Sequence, residues 1–406
     1  MRIVGKIEYT VLNILGNQTA IKKREGYLGI YVHFPFCIQK CSYCDFYSIG
    51  NGISKKLEEK NIFSSYKTEI LNRIESFPEI QSLKVDSLFF GGGTPSRMDN
   101  NLLNELIHFL RSQFQFEDDI EMSIESNPED ITESILNDWN QIGINRVNMG
   151  YQTQNPQYLE LVGRYYDSEQ YKIAPLLLAN SKIENYGFDL IYGFPNQTEE
   201  EFYSDLEFLL QYKPNHLSLY SLTLEKGTEY SRQVKDRVKL PPNEDLQIKL
   251  LETLPGKMQD LGYKWYEVSN YCKLGFESRH NLKYWTMEKY LAIGPGAHGF
   301  INSKRYSNPR NLEAYTKHPG KSNWEESDPI PELLLSLFRI FKPIDMNSFI
   351  NEFPIQAQKK FLTQLNKFQD QDYCKIRSDG IFQWQRSAIL NLDNLIFELN
   401  QAIRDH

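Results

Sequence analysis

Leu28-Gly-Ile-Tyr-Val32, followed through Pro35 by Cys37-Ile-Gln-Lys-Cys41-Ser-Tyr-Cys44-Asp-Phe46, is the stretch that decides the fold. The apolar run Leu28–Val32 has the length and β-branched character of a buried strand. The cysteines fall on the loop just beyond it. Three of the chain's five cysteines lie between positions 37 and 44, whereas cysteines serving as disulfide staples would be scattered. A group this tight points to a metal.

Outward from this loop, short apolar runs alternate with longer amphipathic ones. The predicted strands are Leu28–Val32, Val85–Phe90, Ile120–Ile124, Arg146–Met149, Tyr186–Ile191 and His216–Leu219. Helical patterns over Lys56–Ile74, Leu102–Leu110, Glu133–Gln141, Ser168–Leu178 and Glu199–Leu210 separate them. Repeated strand-then-helix units predict an α/β fold with a parallel sheet, here a partial TIM-type (β/α)6 barrel. The polar residues that stand out sit at the strands' C-terminal ends: the cysteines, Gly91–Ser96, Glu125, Gln152, Asp189 and Tyr220-Ser221. That is the face on which such barrels carry function.

Beyond Thr223 a helical pattern opens at Pro241-Pro242 and heads toward Asp260, with Pro255-Gly256 as its expected break. From about Pro329 the pattern is short helices and a hairpin, Cys374–Trp384, turning at Asp379-Gly380. This predicts a small, separate, helix-rich C-terminal domain with winged helix as its candidate form and a docking or lid role. The expected divisions are an N-terminal extension over 1–27, a partial barrel over 28–225, a barrel-completing region over 226–325 and the helical domain over 326–406. The extension is expected to be an extra strand or a disordered lead.

Across 406 residues the hydrophobic share is 40%, enough for a real core, and the net charge of −8 argues against a nucleic-acid partner. No run of apolar residues is long enough to span a bilayer, and no secretory leader opens the chain. These features predict a cytoplasmic protein. Cys272 and Cys374 stand alone and are expected to be ordinary semi-buried thiols.

Thiolates on one short loop suit an iron–sulfur cluster. Three of them hold three corners of a cubane and leave the fourth iron open, as catalytic metal sites do. Zinc is the competing reading, but it wants four ligands, usually in paired spacing. No second pair exists, and only His33 lies close in sequence. The aromatic flanks Phe34, Phe36, Tyr43 and Phe46 would shield a redox cluster from water.

The run from Tyr31 through Cys37, Cys41, Cys44 and Phe46 resembles the radical S-adenosylmethionine (SAM) superfamily, in its oxygen-independent coproporphyrinogen III oxidase-like family. The likeness extends over nearly the whole chain from Leu28. It implies a radical SAM barrel with a [4Fe–4S] cluster on the three cysteines. It also implies that Gly92, Gly93 and Thr94 meet the amino-acid end of SAM, with Tyr31, Phe46 and Glu125 in the same site. Gln152, Arg164 and Asp189 match the family's site for a second SAM. The family pattern Leu-Gly-Arg-x-His stands here as Val162-Gly163-Arg164-Tyr165-Tyr166, so the arginine is kept and the histidine is not.

Within the family, the oxidases carry a further cysteine where this chain has Phe46. The Cys-Asp-Phe ending resembles the haem-chaperone branch, HemW. His280-Asn281-Leu-Lys-Tyr284-Trp285 matches that branch's HNxxYW signature, as do Tyr266–Tyr271 and, with Pro295 in place of alanine, Gly294–Gly299. Imidazole is a natural haem ligand and aromatic rings suit a porphyrin face, which makes His280, Asn281, Tyr284 and Trp285 haem-binding candidates, with His298 as a fallback. A structural role for His280, bridging barrel and C-terminal domain, is the competing reading.

The resemblance thus implies a haem chaperone that binds cluster, SAM and haem. Its partners would be acceptor haem proteins, such as membrane-associated respiratory enzymes, and an electron donor. A peripheral place at the membrane and a homodimer stay open. The rival reading is an oxidase performing radical oxidative decarboxylation of coproporphyrinogen III propionates. No catalytic residue is assigned.

Overall fold

In the computed structural model, residues 20–50, 56–325, 329–350, 353 and 355–404 are described. Six strands, β1 (Tyr27–Phe34), β2 (Lys84–Gly92), β3 (Gln115–Ser126), β4 (Arg146–Gln152), β5 (Asn185–Tyr192) and β6 (His216–Ser221), lie side by side in chain order and run parallel. Their two faces differ in chemistry. Ile30, Val32, Phe34, Leu88, Phe90, Ile124, Val147, Met149, Phe188, Leu190 and Leu217 point outward and are wholly buried in the main core. Each such side chain contributes roughly 1.5–3 kcal/mol relative to exposure. The alternate positions carry Tyr31, His33, Ser87, Phe89, Ser123, Glu125, Asn148, Asp189 and Ser218. The register sets several of these side by side, Tyr31 beside Phe89, Glu125 beside Asn148, and Asp189 beside Ser218. Strict period-two alternation therefore wraps a greasy outside around a polar interior.

Helices α1 (Lys56–Ser76), α2 (Asn100–Gln113), α3 (Glu133–Ile142), α4 (Pro156–Leu161), α5 (Ser168–Ala179) and α6 (Glu199–Leu210) connect the strands. Side-chain caps explain where they begin. Asp99, Thr132, Asp167 and Thr198 each accept backbone N–H groups of the first turn, and Thr198 with Glu201 forms a capping box. On α2 the buried stripe is Leu103, Leu106, Ile107 and Leu110, the spacing of one helical face.

After α7 (Glu229–Lys235), α8 (Glu244–Asp260) runs straight through Pro255-Gly256, against expectation. Leu250, Leu254, Pro255 and Met258 are all buried along it, and that packing outweighs the roughly 3 kcal/mol an interior proline costs. The sheet then grows at both edges. Strands β7 (Lys264–Glu267) and β8 (Asn270–Cys272) add antiparallel beyond β6. After α9 (Arg279–Thr286), β9 (Tyr290–Ile293) lies parallel on the free edge of β1. Strands β10 (His298–Ile301), β11 (Lys304–Ser307) and β12 (Asn323–Trp324) continue antiparallel from there, with α10 (Leu312–Lys317) between the last two.

The C-terminal unit comprises α11 (Pro329–Leu337), β13 (Ile344–Asp345), α12 (Ile355–Asp370), β14 (Cys374–Ile376), β15 (Ile381–Trp384) and α13 (Leu392–Arg404), its three strands forming a small sheet of their own. The expected hairpin is present as β14–β15. The unit is not separate, however. Its core of Phe338, Phe361, Phe382 and Trp384 continues into Met287, Tyr290 and Phe300 of the barrel side, and Trp265 stacks on Phe341 at 3.4 Å between ring centroids. Of the N-terminal extension, residues 1–19 lie outside the described residues. Ile21 forms a single parallel bridge to Ile344, and Arg24 reaches Asp86 at 2.8 Å. Among the described residues no helix is long and apolar enough to cross a membrane.

Candidate functional site

The cysteine loop leaves β1 and closes on itself at a neck, where the Cys37 N–H donates to Ile49 O (3.0 Å) and the Ile49 N–H to Pro35 O (2.7 Å). Its far end is pinned from two sides. The Ser42 N–H donates to Val162 O at 2.8 Å and Gln39 Nε2 to Gly163 O at 2.9 Å, while Ser42 O accepts from the Tyr230 N–H at 2.8 Å. Cys37, Cys41 and Cys44 all line one cavity of about 540 Å³. Burial pushes the Cys37 thiol up and takes Cys44 to about 11. These are not cation-activated nucleophiles; a metal that displaces the thiol proton would give them their role.

The zinc alternative loses its fourth ligand. His33 Nδ1 is bonded to the Tyr31 hydroxyl (3.0 Å) and Nε2 to Tyr47 O (2.7 Å). Cys272 and Cys374 are buried elsewhere, on β8 and β14.

The glycine loop after β2 crosses directly over the start of the cysteine loop. A Cβ on Gly93 would sit 2.8 Å from Phe36 O, and one on Gly92, whose φ is +110°, would sit 2.6 Å from the His33 ring. These glycines are required by the protein's own packing, rather than by an approaching ligand alone as expected. The loop's N–H groups are also spent: Gly92 donates to Glu125 Oε2 (3.1 Å), Gly93 to Phe34 O (2.6 Å) and Thr94 to Phe36 O (2.9 Å). What the loop brings to the cavity includes the Thr94 side chain, which hydrogen-bonds the Cys37 thiol.

Opposite the cysteines stand Glu125, Asn148, Gln152, Arg164 and Asp189, brought to one cavity from β3, β4, the β4–α5 segment and β5. Burial raises the Glu125 carboxyl to about 8, with the charge of Asp189 adding and the Gly92 N–H opposing. Burial likewise takes Asp189 to about 6. Two carboxyls held toward neutrality in a cavity are poised to receive cationic or hydroxyl-bearing ligand groups. Arg164 is braced by Gly150 O (2.6 Å), Asn127 Oδ1 (2.9 Å) and the Tyr171 hydroxyl (3.1 Å). Tyr166, at the place of the family histidine, packs edge-on against Tyr171. Gln152 ends β4 in the left-handed backbone region, with φ +70°.

A second, inner cavity of about 300 Å³ lies against the first. The two share Phe46, Gly92, Glu125, Asn148, Asp189 and Tyr220. Tyr31 lines the inner cavity, and α9 forms its floor. His280, Asn281 and Tyr284 face inward, while Arg279, Leu282 and Thr286 face a third cavity on the other side of the helix. Ser278 and Glu121 cap α9, Glu121 accepting the N–H groups of Arg279 (3.1 Å) and His280 (3.0 Å). Lys283 anchors it through Asp86 (2.9 Å) and Glu288 (3.1 Å), all three buried. His280 is 1% exposed, bonded to Ser87 Oγ at 2.9 Å and stacked against Phe89. Trp285 is not brought to the cavity; it packs on the C-terminal core.

Asn148 was not singled out by sequence reasoning, yet it lines both cavities and its Oδ1 is buried without a partner. The signal was available. Arg146, Asn148, Gly150 and Gln152 alternate with Val147, Met149 and Tyr151, which marks a strand whose inward face is polar.

Residues 31–209 match the family described as the Radical SAM superfamily. The chain is 33% identical over 334 residues to the Heme chaperone HemW of Buchnera aphidicola subsp. Acyrthosiphon pisum, covering 79% of this chain and 85% of that one. It is 31% identical over 370 residues to the protein of the same name from Haemophilus influenzae, covering 88% and 93%. The solved structure of coproporphyrinogen III oxidase (HemN) from Escherichia coli, described as a radical SAM enzyme, matches with a TM-score of 0.74 over 96% of this chain and 93% of that one, at 21% identity. That last likeness concerns the fold.

Proposed function

Since the chain belongs to the radical SAM superfamily, in its coproporphyrinogen III oxidase-like family and on the HemW branch, we propose that it is a haem chaperone that holds a [4Fe–4S] cluster and SAM and passes haem to acceptor haem proteins. Cys37, Cys41 and Cys44 would hold the cluster. The fit rests on three part-buried thiols lining one cavity and on the orphaned Asn148 Oδ1 and the largely neutral Glu125 facing it. When bound, such a cluster supplies one electron for cleavage of SAM's sulfonium bond.

Within that cavity Gly92, Gly93 and Thr94 meet the amino-acid end of SAM. Glu125 accepts its hydrogen bonds, Tyr31 and Phe46 border the site, and Gln152, Arg164 and Asp189 serve a further SAM. We place the protein in the cytoplasm, peripheral to the membrane where respiratory acceptors sit. An electron donor and a homodimer belong to the same reading.

The observation that carries the chaperone reading over the oxidase is Phe46. Where the oxidases carry another cysteine, a phenyl ring 66% exposed stands on the lip shared by both cavities. Such a ring neither ligates iron nor moves a proton; it offers an apolar face to a flat ligand. The test is anaerobic. Reconstituted protein should bind haemin stoichiometrically and yield it to an apo-haem protein. Supplied with SAM, reductant and coproporphyrinogen, it should form no protoporphyrinogen. Appearance of protoporphyrinogen would overturn the chaperone reading in favour of the oxidase.

A further inference from the structure

We propose that haem is received at the outer lip of the barrel with His298 as its axial ligand, and that His280 instead positions the helix that floors the inner cavity. This rests on the haem-chaperone reading.

A haem ligand must be a neutral imidazole with a free nitrogen that iron can reach, beside an apolar surface and near cations that suit the two propionates. Four histidines line the inner cavity: His33, His216, His280 and His298. His33 has both ring nitrogens bonded. His216 is 2% exposed, with Nε2 bonded to the Tyr266 hydroxyl at 2.8 Å and its unpartnered Nδ1 buried, out of reach of a haem iron. His280 leaves Nε2 without a partner, but the ring is held between Ser87, Phe89 and the edge of Tyr284. The space before it is about 300 Å³, the low end for any drug-sized ligand, and the outer cavity is where cluster and SAM are placed. A macrocycle with two propionates does not fit between.

His298 differs on each point. It opens β10, is exposed, and lines the inner cavity together with the exposed Phe46 and with Gly296. Among the described residues its ring makes no side-chain hydrogen bond. Partial burial lowers its pKa; Glu325 opposes this, while the charges of Arg310 and Arg305 reinforce it. The ring is thus kept in the neutral, ligating form. Arg310 is half exposed and bonded to the carboxylate and carbonyl of Asp45, the residue before Phe46. Its guanidinium therefore joins the His298 side of the mouth to the Phe46 side and presents further N–H donors outward, where a propionate would lie. Phe46 supplies the apolar face.

The experiment is a haemin titration of anaerobically reconstituted full-length protein, read by the Soret band and low-spin EPR. Wild type, His298→Ala, His280→Asn and Arg310→Met are compared, with melting temperature and iron content as controls for folding. His298→Ala should lose the histidine-ligated spectrum while keeping iron content and melting temperature. His280→Asn should keep the spectrum even if it lowers the melting temperature. Arg310→Met should keep the spectrum and bind about tenfold more weakly. Retention of the histidine-ligated spectrum by His298→Ala would overturn this inference and leave the chaperone reading standing. Absence of saturable binding in wild type would overturn the chaperone reading itself, and this inference with it.

Discussion

Replacing Glu125 by glutamine should make the cluster-free protein more stable at alkaline pH. Burial and the charge of Asp189 raise this carboxyl from 4.5 to about 8. At ~1.4 kcal/mol per pH unit the gap is worth at most ~5 kcal/mol. The carboxyl lines an open cavity where water screens part of the effect, so ~2–3 kcal/mol is the expected size. For a carboxyl raised in the folded state, both states are protonated in acid and nothing is lost there. As pH climbs past the unfolded value, the unfolded chain releases its proton and the folded one does not. Stability therefore falls with rising pH until the folded carboxyl also ionises near 8. Glutamine keeps the shape and the acceptor for the Gly92 N–H but has no proton to lose. The advantage of Glu125→Gln over wild type should widen from about pH 5 to about pH 8 and then level off. Urea denaturation of both proteins across that range measures it. A difference that does not change with pH, or a variant less stable than wild type at about pH 8.5, would refute the reasoning.

The other predictions concern the scaffold around this carboxyl. Cys41→Ala should abolish the broad visible absorbance of the reconstituted protein and lower its iron content; full iron retention would refute the ligand assignment. Gly93→Ala forces a Cβ against the backbone of Phe36 and should cost ~1–3 kcal/mol, with poor iron retention because the cysteine loop is displaced. Iron assay with thermal melting checks both effects. Lys283→Ala leaves Asp86 and Glu288 buried with their main cation gone and should cost ~3–5 kcal/mol in urea unfolding. A loss under ~1 kcal/mol would mean that Arg24 alone suffices for Asp86.

The barrel was legible because strand and helix patterns alternate along the chain. Short apolar runs such as Leu28–Val32 stand apart from the amphipathic stretches between them, while which residues face inward became visible only in the structure. The cysteine loop was legible because chemistry concentrates there within a few residues. The part that escaped depends on partners distant in sequence. Nothing local says that the Gly92 N–H is taken by Glu125, or that Glu121 caps a helix 158 residues away. His280 stood ahead of His298 as a ligand candidate in the sequence for the same reason. Burial is a property of what packs around a residue, and the short helix that carries His280 is buried by charges on other strands. Pro255 misled because the rule that prolines break helices is local, whereas the packing that overrides it is tertiary.

The wall of six residues shared by the two cavities has a thermodynamic consequence. Glu125 and Asp189 cannot present one protonation state to an occupant of the outer chamber and another to an occupant of the inner one. A ligand that draws the proton off Glu125 from one side alters the field felt from the other. By linkage, the factor by which it changes its neighbour's affinity is returned in full. Two occupants, one in each chamber, would therefore load and leave as one coupled equilibrium, each an effector of the other.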